Sequence, residues 1–148
     1  MNDIEIDAVK NVTPEFVEAA GVLISQLSAS AQPPGMDQWI EIVACPVVIV
    51  LAARCENKVV GMVTLMLVRI PTGLRAILED LVVLATHRQQ GIGERLMRAA
   101  LARARSAGAR TMDFTSRPSR IVASRLYQRL GFALRDTGVY RYSFDRDA

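Results

Sequence analysis

Between Leu78 and Ala107 the chain passes from an apolar strand, through a loop with two glycines, into an amphipathic helix. This junction constrains the fold more than any other stretch. The strand reads Leu78-Glu79-Asp80-Leu81-Val82-Val83, and the loop reads Arg88-Gln89-Gln90-Gly91-Ile92-Gly93-Glu94. Behind the loop, Ile92, Leu96, Met97, Ala100, Leu101 and Ala104 share one helical face, while Glu94, Arg95, Arg98 and Arg105 take the other. A helix start exposes N–H groups that lack intrahelical acceptors, and the helix dipole adds positive potential there. Gly91 and Gly93 let a ligand approach the backbone with no side chain in the way. The junction predicts a cradle for a pyrophosphate.

The other elements follow from periodicity and caps. Ile4 to Val9 alternates as a strand, and Thr13-Pro14-Glu15 opens a helix that runs to about Ser28. Ala31-Gln32-Pro33-Pro34-Gly35 breaks it, and a short helix covers Met36 to Ala44. Val47–Arg54 and Val59–Arg69 read as a hairpin around Glu56-Asn57-Lys58, followed by a strand over Arg75–Val83. Gly108 caps the helix from Gly91 to Ala107, where Glu94 and Arg98 are spaced as an i,i+4 pair. Thr111–Thr115 is a strand and Pro118–Leu130 a helix ended by Gly131. Phe132–Asp136 and Val139–Phe144 are expected as closing strands. The order β-α-α-β-β-β-α-β-α-β-β predicts one α/β (α+β) domain over residues 1–148: a mixed sheet flanked by about four helices, with no linker.

Composition narrows the function. At 148 residues, 51% hydrophobic and 22% charged, the chain can bury a full core, which excludes disorder and a disulfide scaffold. Two cysteines, Cys45 and Cys55, and one histidine, His87, make a structural zinc site untenable. The two thiols read as buried and reduced, with a disulfide between them the alternative. The longest apolar run, Val47–Ala53, is far short of a membrane span, and the acidic N-terminus lacks a signal peptide's basic region. A cytoplasmic location is the expectation. The charge is divided: residues 1–87 carry 5 basic and 10 acidic side chains, residues 88–148 carry 13 and 5. The basic part, nearly all arginine, suits an anionic partner. Nucleic acid is disfavoured, because the arginines are spread over helix backs and aromatics are only 5%.

Three phosphate cradles compete for the junction. The nucleotide P-loop pattern has no match. The dinucleotide pattern fails because Leu96 stands where its third glycine belongs. The pattern R/Q-x-x-G-x-G/A is met in full by Arg88-Gln89-Gln90-Gly91-Ile92-Gly93. Downstream, Ala123-Ser124-Arg125-Leu126-Tyr127-Gln128-Arg129-Leu130-Gly131-Phe132 matches A-x-x-L-Y-x-x-x-G-F. With both motifs in this order, the chain resembles the GNAT family of acyl-CoA-dependent N-acyltransferases. The resemblance covers nearly the whole chain in element order and is tight from about Leu78 to Phe132.

The resemblance implies a mostly antiparallel sheet whose central strands splay, with pantetheine in the gap. Backbone groups of Leu81, Val82 and Val83 would pair with that arm, and Arg88, Gln89, Gln90, Gly91, Ile92, Gly93 and Glu94 would hold the pyrophosphate of acetyl-CoA. No metal is implied. The acceptor amine must lose a proton, and Glu79 is the candidate base, since a buried setting would raise its pKa. Asp80, on the opposite face of the strand, is the alternative, and an ion pair with a neighbouring arginine is the competing role for Glu79. A backbone N–H of Leu81 or Val82 would serve the oxyanion. Tyr127 is the expected general acid to the CoA thiolate and also a cofactor contact. Where many members carry Asn, seven residues before the Tyr, this chain has Arg120; Arg117 or Arg120 would then meet the 3′-phosphate or the substrate. Gln89 stands where glycine is frequent. Glu15, Glu18, Asp37, Glu41 and Trp39 in the first helices suit a cationic amine acceptor. Homodimers are common in the family. A non-catalytic acyl-CoA-binding module is the alternative function; it would not need Tyr127 and Glu79.

Overall fold

Residues 3–116 and 121–146 are described by the computed structural model. They fall into two compact units, Met1–Phe114 and Thr115–Ala148. The first unit is a five-stranded sheet in the order β1-β2-β3-β4-β5 with three α-helices. β1 is Ile4–Ala8, β2 Val48–Cys55, β3 Lys58–Ile70, β4 Gly73–Val83 and β5 Thr111–Asp113. The helices are α1 Pro14–Leu27, α2 Met36–Ala44 and α3 Ile92–Ala107. β1 to β4 pair antiparallel, and β5 joins β4 in parallel. This is the mixed sheet that the element order predicts, mostly antiparallel as the family resemblance implies.

Local chemistry sets the element ends where expected. The Thr13 hydroxyl accepts from the Phe16 N–H at 3.1 Å, with Pro14 at the first helical position. Gly108 ends α3 at φ 85°, a left-handed conformation that glycine enters without a Cβ penalty. Glu94 and Arg98 form the i,i+4 pair at 3.8 Å. Helices cover both sheet faces. Phe16, Ala20 and Leu23 of α1 and Trp39 of α2 pack with Val50, Ala52, Met62 and Val82. On the other face, a Cβ at Gly61 would stand 3.3 Å from Leu96 Cδ1 and 3.4 Å from Ile92 Cγ2, so α3 seats against bare backbone there. Cys55 is buried, Cys45 half-buried, and both are free thiols.

Two features of β4 position the site. Met62 faces Val82 and Thr64 faces Glu79, so β4 holds one residue more than β3 in that interval. Asp80, at φ 56°, takes up the excess as a β-bulge. The second feature is the ladder to β5, which ends at Ile77↔Asp113 and is pinned by an Arg75–Asp113 ion pair. From Leu78 to Val83, β4 has no strand on that side among the described residues.

The second unit carries α4, Ile121–Arg129. Ala123, Leu126, Tyr127 and Leu130 are half-buried, whereas Ser124, Arg125, Gln128 and Arg129 are exposed. Gly131 at φ 99° turns the chain, and the Phe132 N–H donates to the Tyr127 carbonyl at 2.9 Å. The two closing strands expected at Phe132–Asp136 and Val139–Phe144 are not formed among the described residues. A strand forms only with a paired neighbour, and no ladder involves this segment among the described residues. Its alternation survives locally: the Tyr142 and Phe144 rings, two residues apart, meet tilted at 59° with centroids 5.1 Å apart. Leu134, Tyr140 and Phe144 are each at least 96% exposed.

Candidate functional site

The strand–loop–helix junction builds one face of the first unit. Leu84 N donates to Val60 O at 2.7 Å, so that peptide points its N–H toward β3. Its other end, the Val83 carbonyl, therefore points away from β3, toward the side of β4 that β5 has left. By the same alternation the Leu81 backbone groups face that open side, and those of Val82 face β3. Of the three residues expected at the gap, Leu81 and Val83 turn their backbone groups to the side of β4 away from β3. Val82 instead buries its side chain in the core under α1.

Beyond β4, a 3-10 turn over Ala85–His87 leads to the loop. Gln89 (φ 62°) and Gly91 (φ 77°) both stand in the left-handed region. A Cβ at Gly91 would meet no atom within 4 Å, so open space lies at that point of the loop. The start of α3 carries no side-chain cap; only the Arg95 N–H reaches back, to the Gly91 carbonyl at 3.1 Å. The Ile92 and Gly93 N–H groups thus stand at a helix start with no intrahelical acceptor, beside open space. An anionic group of pyrophosphate size and chemistry fits this arrangement. Gln90 and Gln89 are exposed on the loop, and Glu94, in the first turn, reaches Arg98.

Arg88, expected at the pyrophosphate, turns its side chain back toward the end of β4. Its Nε donates to the Val83 carbonyl at 3.3 Å. The Gln26 amide, with its oxygen turned to the loop, accepts from Arg88 Nη2 at 3.2 Å and from Ala85 N at 3.1 Å. Sequence reasoning missed Gln26, because a glutamine at the end of an amphipathic helix carries no signal until the loop is folded against it.

Glu79 is exposed, not buried, so the burial expected to raise its pKa is absent. Glu79 closes the regular register with β3, opposite Thr64, and Asp80 follows it in the bulge; both are exposed. Trp39 is also displaced from its expected role. It is 3% exposed and packs edge-on to Phe16 at 4.9 Å, so its ring is core and not a wall for a cation. Glu15, Glu18, Asp37 and Glu41 are exposed. Tyr127 stands half-buried on α4 of the second unit. Arg117 and Arg120 lie outside the described residues. Among the described residues no three His, Cys, Asp or Glu side chains group to hold a metal ion, and no helix is long and apolar enough to cross a membrane.

Comparison with known proteins agrees with this geometry. No curated protein sequence matches the chain. An aminoglycoside N-acetyltransferase solved with CoA superposes with a TM-score of 0.79 at 17% identity, covering 98% of this chain and 97% of the other. An aminoglycoside acetyltransferase from an uncultured soil metagenomic sample, solved with trehalose, gives 0.83 at 20% identity, covering 97% of each. A ribosomal-protein-alanine N-acetyltransferase from Brucella melitensis biovar Abortus 2308 gives 0.76 at 17%, covering 97% of this chain and 100% of the other. At these identities the likeness is one of fold. The family model described as Acetyltransferase (GNAT) family matches residues 17–132, from α1 through both motifs. The chain therefore belongs to the GNAT family of acetyltransferases, enzymes that draw their acetyl group from acetyl-CoA.

Proposed function

We propose that residues 1–148 act as one catalytic domain that moves an acetyl group from acetyl-CoA to a primary amine by direct attack. The observation that carries this reading is the open edge of β4, running into an uncapped helix start at a glycine with free space before it. Bound there, acetyl-CoA supplies an activated thioester. The Leu81 carbonyl and the Val83 N–H pair with the pantetheine arm, as a strand edge pairs with an extended chain. The N–H groups from Gln89 to Glu94 take the pyrophosphate, and Arg120 the 3′-phosphate or the substrate.

Glu79 takes the proton that the amine loses as its nitrogen bonds to the acyl carbon. Exposure of Glu79 supports a base that works through water as readily as by contact. The Leu81 N–H donates to the oxyanion, a preorganised dipole on the open side of the strand. As the carbon–sulfur bond breaks, Tyr127 gives its hydroxyl proton to the CoA thiolate. Both Glu79 and Tyr127 are present, which favours catalysis over the alternative of a silent acyl-CoA-binding module.

The acceptor is a cationic amine, small or peptidic. The exposed carboxylates of α1 and α2, Glu15, Glu18, Asp37 and Glu41, support a positive acceptor through long-range attraction. The related structures carry names with unlike acceptors, aminoglycosides and a ribosomal-protein alanine, so the family alone does not choose. A cytoplasmic location fits a metabolite donor of this kind. A homodimer is also proposed, supported by the exposed Tyr140, Tyr142 and Phe144. Calorimetry with acetyl-CoA, then an amine and peptide screen that reads released CoA thiol, tests the function. Micromolar binding and turnover with at least one amine are expected; no heat of acetyl-CoA binding overturns the reading.

A further inference from the structure

We infer that Gln26 is a positioning residue that holds the entrance of the acetyl-CoA loop to α1, an inference that rests on the cofactor reading above. One oxygen of this side chain serves two donors, Ala85 N at 3.1 Å and Arg88 Nη2 at 3.2 Å. These donors stand at the start of and just beyond the 3-10 turn Ala85–His87, through which β4 runs into the loop. Gln26 therefore staples the turn at both of its ends. The staple has a firm base, because Gln26 sits one turn beyond Leu23, which is fully buried against the sheet.

Arg88 completes the device. Its Nε caps the Val83 carbonyl, the last acceptor on the open side of β4, while its Nη2 is held by Gln26. Arg88 is exposed, and without Gln26 its long side chain has one hydrogen bond fewer to hold it on that carbonyl. The first residue of the R/Q-x-x-G-x-G/A motif thus acts here on its own backbone, and Gln26 keeps it there. Since α1 also bears Glu15 and Glu18, the contact ties the acidic helix to the loop.

The test uses Gln26→Met, which keeps the reach and removes the acceptor, with Gln26→Ala as a second removal and Gln26→Glu as the conservative rescue. Two readouts are taken on the full chain: amide hydrogen exchange at Ala85 without ligand, and the acetyl-CoA Kd by calorimetry. Met and Ala are expected to speed Ala85 exchange about tenfold and raise Kd about 3- to 10-fold, the scale of one ordinary hydrogen bond. Glu is expected to restore both. Ala85 exchange that stays slow in Gln26→Met and Gln26→Ala overturns the contact. Faster exchange with unchanged Kd overturns the positioning role. If wild-type protein binds no acetyl-CoA, the cofactor reading fails and takes the ligand of this proposal with it; that failure is recognisable because the Ala85 contrast between Met and Glu persists.

Discussion

Single residues decide how a ligand meets this backbone. Gly91 and Gln89 both occupy left-handed conformations, but only the glycine does so without strain. Gly91→Ala is expected to lower stability by about 1 kcal/mol in urea unfolding and to weaken acetyl-CoA, because its methyl enters the open space of the loop. Gly61 works by contact instead. A Cβ there would stand 3.2 Å from the Val82 carbonyl and near Leu96 and Ile92, so Gly61→Ala must push the start of α3 outward. A loss of about 1–3 kcal/mol is expected in the same assay; an unchanged midpoint would show that the helix yields freely. For Tyr127, replacement by Phe is expected to lower kcat by about 100-fold while leaving the acetyl-CoA Kd within about twofold. Equal turnover in steady-state assays would remove it from the acid role.

At the scale of elements, β4 is the informative one. Its pairing with β3 absorbs Asp80 as a bulge, and its pairing with β5 stops at Ile77. Together they leave the end of the strand with one edge unpaired by any strand among the described residues. The bulge makes a backbone demand, not a charge demand, on Asp80. Asp80→Gly is accordingly expected to keep acetyl-CoA binding, while Asp80→Val, β-branched at φ 56°, loses about 1–3 kcal/mol of stability and binding with it. Equal losses in both would point to the carboxylate. Much of this level was legible in advance. The Thr13 cap, the stripe on α3, the Glu94–Arg98 pair and the glycine C-caps are local signals, and all stand in the structure. The bulge was not legible, since period-two alternation through Leu78–Val83 reads the same with or without an extra residue. Glu79, expected buried, is exposed, because burial depends on what packs over the strand and not on its alternation.

Over the whole molecule, charge and apolar surface have separate consequences. The basic share of residues 88–148 predicts that acetyl-CoA affinity falls as salt rises, through screening of its phosphates. The exposed rings of Tyr140, Tyr142 and Phe144 offer on the order of 150–250 Å² each, so two symmetric copies bring an area typical of stable interfaces. Light scattering is expected to find a dimer, and Tyr140→Ser with Phe144→Ser to shift it toward monomer; a monomeric wild type at all concentrations would rule the dimer out.

The sequence by itself determined the elements, their order up to α4, and the glycine loop that marks the family. Caps, helical stripes and left-handed glycines act within a few residues, so the local chain carries them whole. Tertiary structure alone decided the rest: which carbonyls of β4 face its unpaired side, that Arg88 turns back to Val83 and Gln26, that Trp39 is core, and that Val139–Phe144 joins no strand among the described residues. Each of these depends on a partner distant in the chain, and pairing free energy exists only once that partner arrives.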